Sequence, residues 1–268
     1  MICIDEKRCT GCGLCVADCV AEAIHVVDGK AIVDQGCFAC GPCVAICPFA
    51  APSAPNYSDD PVESDEGTFA LSSRNLLNTI KYRRSIRDFQ QRPLSYDDLH
   101  LLIDAAAHTP TAKNTQANRF TFIQDSLPEF KDLIWGELRD AHRRGEETVI
   151  PSDVLEGFLG RKDVDDADDY LFRNAPALLC IESMDPLDAG LAAQAFELMA
   201  TTRNPGVLYN GYLRRVIEHR ARARAYFAAS DERILAAVLL VGYSKPRYRR
   251  ADPRRHPSAV LRPGTAPT

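Results

Sequence analysis

CTGCGLCVADC, residues 9–19, places four cysteines in eleven positions, and CFACGPCVAIC, residues 37–47, repeats the same spacing. A C-x2-C pair can serve one tetrahedral zinc ion, but zinc sites usually draw two ligands from each of two separated loops. Here three cysteines recur at every third residue and a fourth follows after three more residues. One tight loop of that kind presents three thiolates to three corners of an iron–sulfur cube, and its fourth cysteine points away to a second cube. The spacing predicts Cys9, Cys12, Cys15 and Cys47 around one [4Fe-4S] cluster, with Cys19, Cys37, Cys40 and Cys43 around another. Gly11, Gly13 and Gly41 suit a backbone wrapped closely around sulfur.

The rest of the chain sets limits on what such clusters serve. Its 268 residues suit one small domain followed by one of ordinary size. Hydrophobic content of 46% and charged content of 26% are those of a globular protein. A net charge of −5 argues against nucleic acid as the main partner. No apolar run reaches membrane-spanning length, and MICIDEKRC lacks the pattern of a signal peptide. A cytoplasmic location is the resulting expectation, consistent with cysteines kept as metal thiolates. Cys3 and Cys180, outside the two runs, are expected to be small buried hydrophobes.

Residues 1–52 resemble a bacterial two-cluster ferredoxin. One departure is that Pro48 follows Cys47 but Val20 follows Cys19, which bears on solvent exposure at the second cluster and hence on its potential. Between the runs, AIHVVDGKAIVDQ alternates around Asp28-Gly29 as a hairpin does, with His25 in a surface or packing role. Residues 53–67, rich in proline, serine and acids, read as a linker. Residues 68–268 then alternate helical and strand patterns, so the expected fold is α+β, with a layered αβα second domain. Leu76, Leu77 and Ile80 mark one face of its first helix. The acidic stretch 146–170 is expected to be a solvated excursion, with the wrong ligand pattern for calcium.

Clusters carry single electrons, so a recipient is expected. KYRRSIRDF, residues 81–89, gathers guanidinium groups and a hydroxyl able to hold a phosphate. HTPTAKNTQANRF, residues 108–120, sets two amides just before a strand. Together with the tail VGYSKPRYRRADPRRHP, these stretches resemble the FMN-dependent nitroreductase family. The resemblance implies that Arg83, Arg84, Ser85 and Arg87 bind the FMN phosphate and ring edge. It implies further contacts from Pro110, Thr111, Asn114 and Gln116, partly across a homodimer interface. The glycine loop facing flavin N5 would be Gly206, Val207, Leu208, Tyr209, Asn210 and Gly211. Arg254 or Arg255 would close on the phosphate, with Arg250 an alternative in a loose register. Where relatives read Leu-Gly-Leu-Gly, this chain has Arg203, Asn204 and Pro205, which puts the approach to the flavin edge in question.

No Ser-His-Asp or Cys-His nucleophile is legible, and flavin chemistry requires none. Tyr209, a backbone amide or water could donate a proton. The leading expectation is an FMN enzyme fed single electrons through two [4Fe-4S] clusters and reducing a nitroaromatic, quinone or other conjugated acceptor. The electrons would come from a reduced ferredoxin, a reductase or NAD(P)H. Alternatives are a dehydrogenase passing substrate electrons out through the clusters, or an electron carrier with no small substrate of its own.

Overall fold

The two glycine-cysteine loops dictate the N-terminal architecture of the computed structural model, which describes residues 2–57, 61–65, 67, 71–227 and 232–254. Strand β1 (Cys3–Ile4) leads to the first loop and to helix α1 (Leu14–Ala17). A hairpin follows, β2 (Ile24–Val27) and β3 (Lys30–Val33), with His25 opposite Ile32 and its ring 2.9 Å from Asp34. The second loop leads to α2 (Pro42–Ile46), and β4 (Pro52–Ser53) returns antiparallel to β1. Gly13 and Gly41 cap α1 and α2 with φ of 78° and 94°, a left-handed turn that favours residues lacking Cβ. Gly11 is tighter still: a Cβ there would lie 2.4 Å from the Gly29 carbonyl oxygen. Ile2, Ile24, Ala31 and Cys43 form the small core. Cys3 is exposed, contrary to expectation, because β1 is a two-residue edge strand.

The second domain is built on four antiparallel strands in the order β5-β6-β8-β7. Its elements are α3 (Ser73–Tyr82), α4 (Tyr96–Ala107), β5 (Arg119–Ile123), α5 (Leu127–Arg143) and α6 (Ser152–Val164). Then come β6 (Ala177–Ser183), α7 (Pro186–Arg203), β7 (Pro205–Tyr209), α8 (Gly211–His219), α9 (Ala221–Ala225) and β8 (Ile234–Tyr243). Strand β6 is buried along its whole length, and its alternation divides the core. Ala177, Leu179 and Ile181 face α4 and α7, whereas Leu178 and Cys180 face the cluster formed by α5, α6 and α8. Helix α7 reaches the sheet closely through Ala189, Ala192, Ala193 and Ala200. These layers make the chain an α+β protein, with the αβα second domain expected from the sequence.

Three local readings need correction. The acidic stretch 146–170 contains α6, which buries Leu155, Phe158 and Leu159. It also buries Asp169, whose carboxylate accepts from Trp135 Nε1 at 3.4 Å. Polar composition concealed a helix whose apolar contact is the narrow set Val154, Leu155, Phe158 and Leu159. The segment 205–209, grouped by its glycine with a loop, is strand β7, and helix begins only after Asn210 caps Leu213. Finally, Ser53, assigned to the linker, still belongs to the β4 pairing with Cys3.

Candidate functional site

The cysteine loops fold so that each run exchanges its fourth member. Cys9, Cys12, Cys15 and Cys47 line one cavity, while Cys19, Cys37, Cys40 and Cys43 line another. Among the described residues, no three Cys, His, Asp or Glu side chains converge tightly enough to hold one metal ion. A cluster with iron at its corners asks instead for thiolates ringed around a larger object. Backbone amides aim at both rings. Ala31 N–H donates to Cys9 Sγ at 3.3 Å and Ala51 N–H to Cys47 Sγ at 3.5 Å. Ala23 N–H donates to Cys19 Sγ at 3.4 Å and Ala39 N–H to Cys37 Sγ at 3.3 Å. The amides of Ala31 and Gly11 hold the Cys9 thiol below its usual range. Burial pushes the Cys43 thiol up to about 11, so without metal it keeps its proton. All-sulfur donor rings with N–H···S bonds fit iron–sulfur clusters. Val20, the departure after Cys19, is 79% exposed and projects into solvent.

The arginine stretch lies on the open edge of the larger sheet. Ser85 bridges in parallel to Val207 of β7, and Phe89 bridges antiparallel to Ser244. This seam requires Gly206, because a Cβ there would meet Ile86 Cγ1 at 2.3 Å. Beside the seam opens a cavity of about 490 Å³, lined by Arg83, Arg84, Gly206 and Val207, with Asn204, Pro205 and Arg247 on its wall. Arg83 Nη1 lies 2.9 Å from Oε1 of Glu197, a carboxylate on α7 that is only 2% exposed. Glu197 also accepts from Gln194 Nε2 at 3.4 Å, and its charge acts on the Tyr209 phenol. Burial, then the Glu197 charge, pushes the Tyr209 phenol far up, so it stays protonated. Arg84 holds the C-terminal tail: it bonds the Arg250 carbonyl at 2.5 Å, pairs with Asp252 at 3.3 Å and stacks 4.2 Å over Tyr248.

Several sequence-selected residues lie elsewhere. Arg87 opens onto a separate cavity of about 430 Å³ shared with Arg161, Arg173 and Lys245. Arg203 points away from the first cavity to Asp98 on α4, at 3.2 Å. It is Asn204, in the left-handed C-cap of α7 at φ 77°, and Pro205 that shape the wall. Leu208 is half-buried in β7, and Asn210 donates to the Leu171 carbonyl at 2.7 Å while capping α8. Gly211 begins α8 with open space where a side chain would be. In the proline loop, Pro110 is exposed and Thr111 Oγ1 accepts from Gln116 N–H at 3.0 Å. Asn114 is turned to the N-terminal domain, donating to the Ala39 carbonyl at 3.2 Å. Arg254 is exposed and Arg255 lies outside the described residues. Glu197 escaped the sequence reading because a glutamate inside FELMATTR looks like an ordinary solvated helix position. Its one signal was placement on the small-residue face that packs on the sheet.

Comparison with known proteins agrees with this geometry. A 4Fe-4S dicluster domain model matches residues 1–48, and a nitroreductase family model matches residues 80–243. No curated protein matched. Among solved structures, a nitroreductase with bound FMN from Bacteroides fragilis is 18% identical, with a TM-score of 0.55, covering 70% of this chain and 98% of that one. A nitroreductase with bound FMN from Desulfitobacterium hafniense is 20% identical, with a TM-score of 0.54, covering 67% and 94%. An FMN-dependent nitroreductase from Clostridium difficile is 17% identical, with a TM-score of 0.53, covering 71% and 100%. At such identities the likeness is one of fold. The larger match spans more than half of the sequence, and the chain therefore belongs to the nitroreductase family, with a 4Fe-4S dicluster domain fused ahead of the nitroreductase domain.

Proposed function

We propose that this chain is an FMN-dependent oxidoreductase receiving single electrons through two [4Fe-4S] clusters and reducing a nitroaromatic, quinone or other conjugated acceptor. The observation that carries the reading is the joining, in one chain, of two four-cysteine rings and an arginine-lined cavity at the Ser85–Val207 seam. Among the described residues, Arg83, Arg84, Arg92 and Arg247 line that cavity against the one carboxylate of Glu197, a balance suited to a phosphate dianion. Its volume lies within the usual range for cofactor sites.

FMN, when bound, supplies stepwise electron acceptance and release of a hydride equivalent. The chain's own residues bind and orient. Arg83, held by Glu197, offers its remaining donors to the cavity, and Arg84 keeps the tail at residues 248–252 against the same opening. Tyr209 retains its proton under the influence of burial and the Glu197 charge. Asn204 and Pro205 narrow the wall and thereby bear on acceptor shape.

A homodimer belongs to the same proposal. Helix α3 leaves Leu76, Leu77 and Ile80 each more than 40% exposed on one face, a stripe that a second copy of this chain would cover. No described helix is long and apolar enough to cross a membrane. Ten cysteines with no disulfide among them suit the reducing cytoplasm proposed for this chain. The electron source proposed is a reduced ferredoxin, a reductase or NAD(P)H. Anaerobic purification should yield flavin and about eight irons per chain, and a reductive titration followed by an acceptor panel should reoxidise the flavin. Protein lacking flavin absorbance, or carrying zinc instead of iron, would refute the reading.

A further inference from the structure

One residue on the rim of the second cysteine ring is held from outside. Ala39, between Cys37 and Cys40, has a φ of 53°, a left-handed conformation uncommon for alanine. Its N–H donates to Cys37 Sγ at 3.3 Å. Its carbonyl accepts from Tyr57 Oη at 2.7 Å and from Asn114 Nδ2 at 3.2 Å. Asn114 Nδ2 also donates to Tyr57 Oη at 3.1 Å, closing a three-membered polar contact between linker, ring and second domain.

The loop presenting Asn114 is unusually constrained. Lys113, Asn114 and Gln116 have φ of 52°, 52° and 49°, and the surroundings must fix such a backbone. They do so from two sides. Gln116 N–H is bonded to Thr111 Oγ1, and Ala112 N–H donates at 3.3 Å to the buried carboxylate of Asp188 at the start of α7. The carboxamide of Asn114 is thus mounted on the sheet domain. By contrast, among the described residues the polar contacts at the first ring stay within the N-terminal domain, with Lys30 bonding the Glu6 and Cys9 carbonyls and Arg8 the Ala50 carbonyl.

We propose that Tyr57 and Asn114 form a polar clasp on the Ala39 carbonyl. It docks the Cys19/Cys37/Cys40/Cys43 half of the iron–sulfur domain onto the 111–116 loop. That half faces the flavin-binding domain, and the Cys9/Cys12/Cys15/Cys47 half faces an external electron donor. The electron-path part rests on the function proposed above, whereas the clasp itself is independent of it. Because the clasped residue donates its own N–H to Cys37 sulfur through the neighbouring peptide, releasing it weakens an N–H···S bond, and such bonds tune cluster potential.

The test uses the anaerobically purified full chain with Tyr57→Phe and, separately, Asn114→Ala. Tyr57→Phe alters no residue of the second domain, so it separates docking from flavin binding. Hydrogen exchange at residues 37–41 and 111–116 should quicken together by about five- to tenfold in both variants, with residues 9–15 unchanged. In redox titrations followed by electron paramagnetic resonance, the cluster assigned by Cys40→Ser should move to lower potential. The one assigned by Cys12→Ser should stay. Unchanged exchange and potentials in both variants would overturn the clasp. So would loss of flavin in Asn114→Ala with a silent Tyr57→Phe, since Asn114 would then be a flavin contact alone. Absence of flavin from the wild type would instead overturn the proposed function and leave the exchange result standing.

Discussion

Replacing Glu197 by glutamine isolates the charge that holds Arg83. The carboxylate is 2% exposed and lies 2.9 Å from Arg83 Nη1, while the Arg83 side chain is 24% exposed. Glutamine keeps the volume and one acceptor oxygen but removes the ion pair. Breaking a fully buried pair costs about 3–5 kcal/mol, because a buried charge is left uncompensated. Arg83 retains some water, so the lower figure for a hydrogen bond to a charged group, about 2 kcal/mol, is the better expectation. With a urea slope near 2 kcal/mol per molar, the unfolding midpoint should fall by about 1 M. Trp135 is the only tryptophan, is 3% exposed in α5, and reports on the second domain alone. Its fluorescence in urea therefore avoids mixing that transition with cluster loss. Arg83→Met and the double variant complete a cycle, in which the double should be less destabilised than the sum of the singles. A midpoint unmoved by Glu197→Gln, or strictly additive variants, would refute the claim that this pair is coupled.

Gly11→Ala should abolish stable cluster assembly, because its Cβ would sit 2.4 Å from the Gly29 carbonyl at a φ of 68°; iron content after anaerobic reconstitution is the readout. Cys12→Ser and Cys40→Ser each remove a ligand from a different ring, so each should lower iron towards about four per chain and leave one cluster spectrum intact. Acid should expose Asp98: the Tyr243 hydroxyl bond chiefly, with Ser95 and Arg203, holds its carboxyl below the usual range against the opposing effect of burial. A depressed folded pKa contributes stability above the unfolded value of about 4 that is lost as pH falls through the folded value. Asp98→Asn should therefore flatten the acid limb of stability against pH below about 4, measured by Trp135 fluorescence.

The parts legible in the sequence are those whose chemistry depends on local spacing. Cys9, Cys12 and Cys15 recur within one loop, and fixed geometry around a cube makes that spacing nearly self-explanatory. The exchange of Cys19 and Cys47 between rings was legible for the same reason, since a fourth cysteine displaced by three residues cannot close on its own loop. The apolar run APALLCIES around Cys180 likewise reads as the buried strand β6. The 146–170 stretch misled because acidic residues colour its composition, although a few apolar side chains suffice to seat α6. Arg203 misled differently. It stands beside the cavity wall in sequence, but a helix C-terminus directs it back to Asp98, which is remote in the chain. Pairings of that kind have no local signature.

The proline loop shows most clearly how a residue's partner can differ from the one its neighbourhood suggests. An amide before a strand is a reasonable flavin contact, and nothing in TAKNTQ mentions a second domain. Yet the left-handed residues at positions 113, 114 and 116 turn the carboxamide of Asn114 towards Ala39, where Tyr57 from the linker meets it. Two facts make this placement more than incidental packing. The carbonyl it grips belongs to the residue whose N–H reaches Cys37 sulfur, and the loop is pinned by Asp188 on the helix that also carries Glu197. One helix thereby supports both the carboxylate that holds Arg83 and the loop that holds the iron–sulfur rim. A linker that merely tethered two domains would raise their effective concentration. A linker whose tyrosine completes a bonded contact also fixes which ring faces inward, and orientation is what a chain of single-electron steps requires.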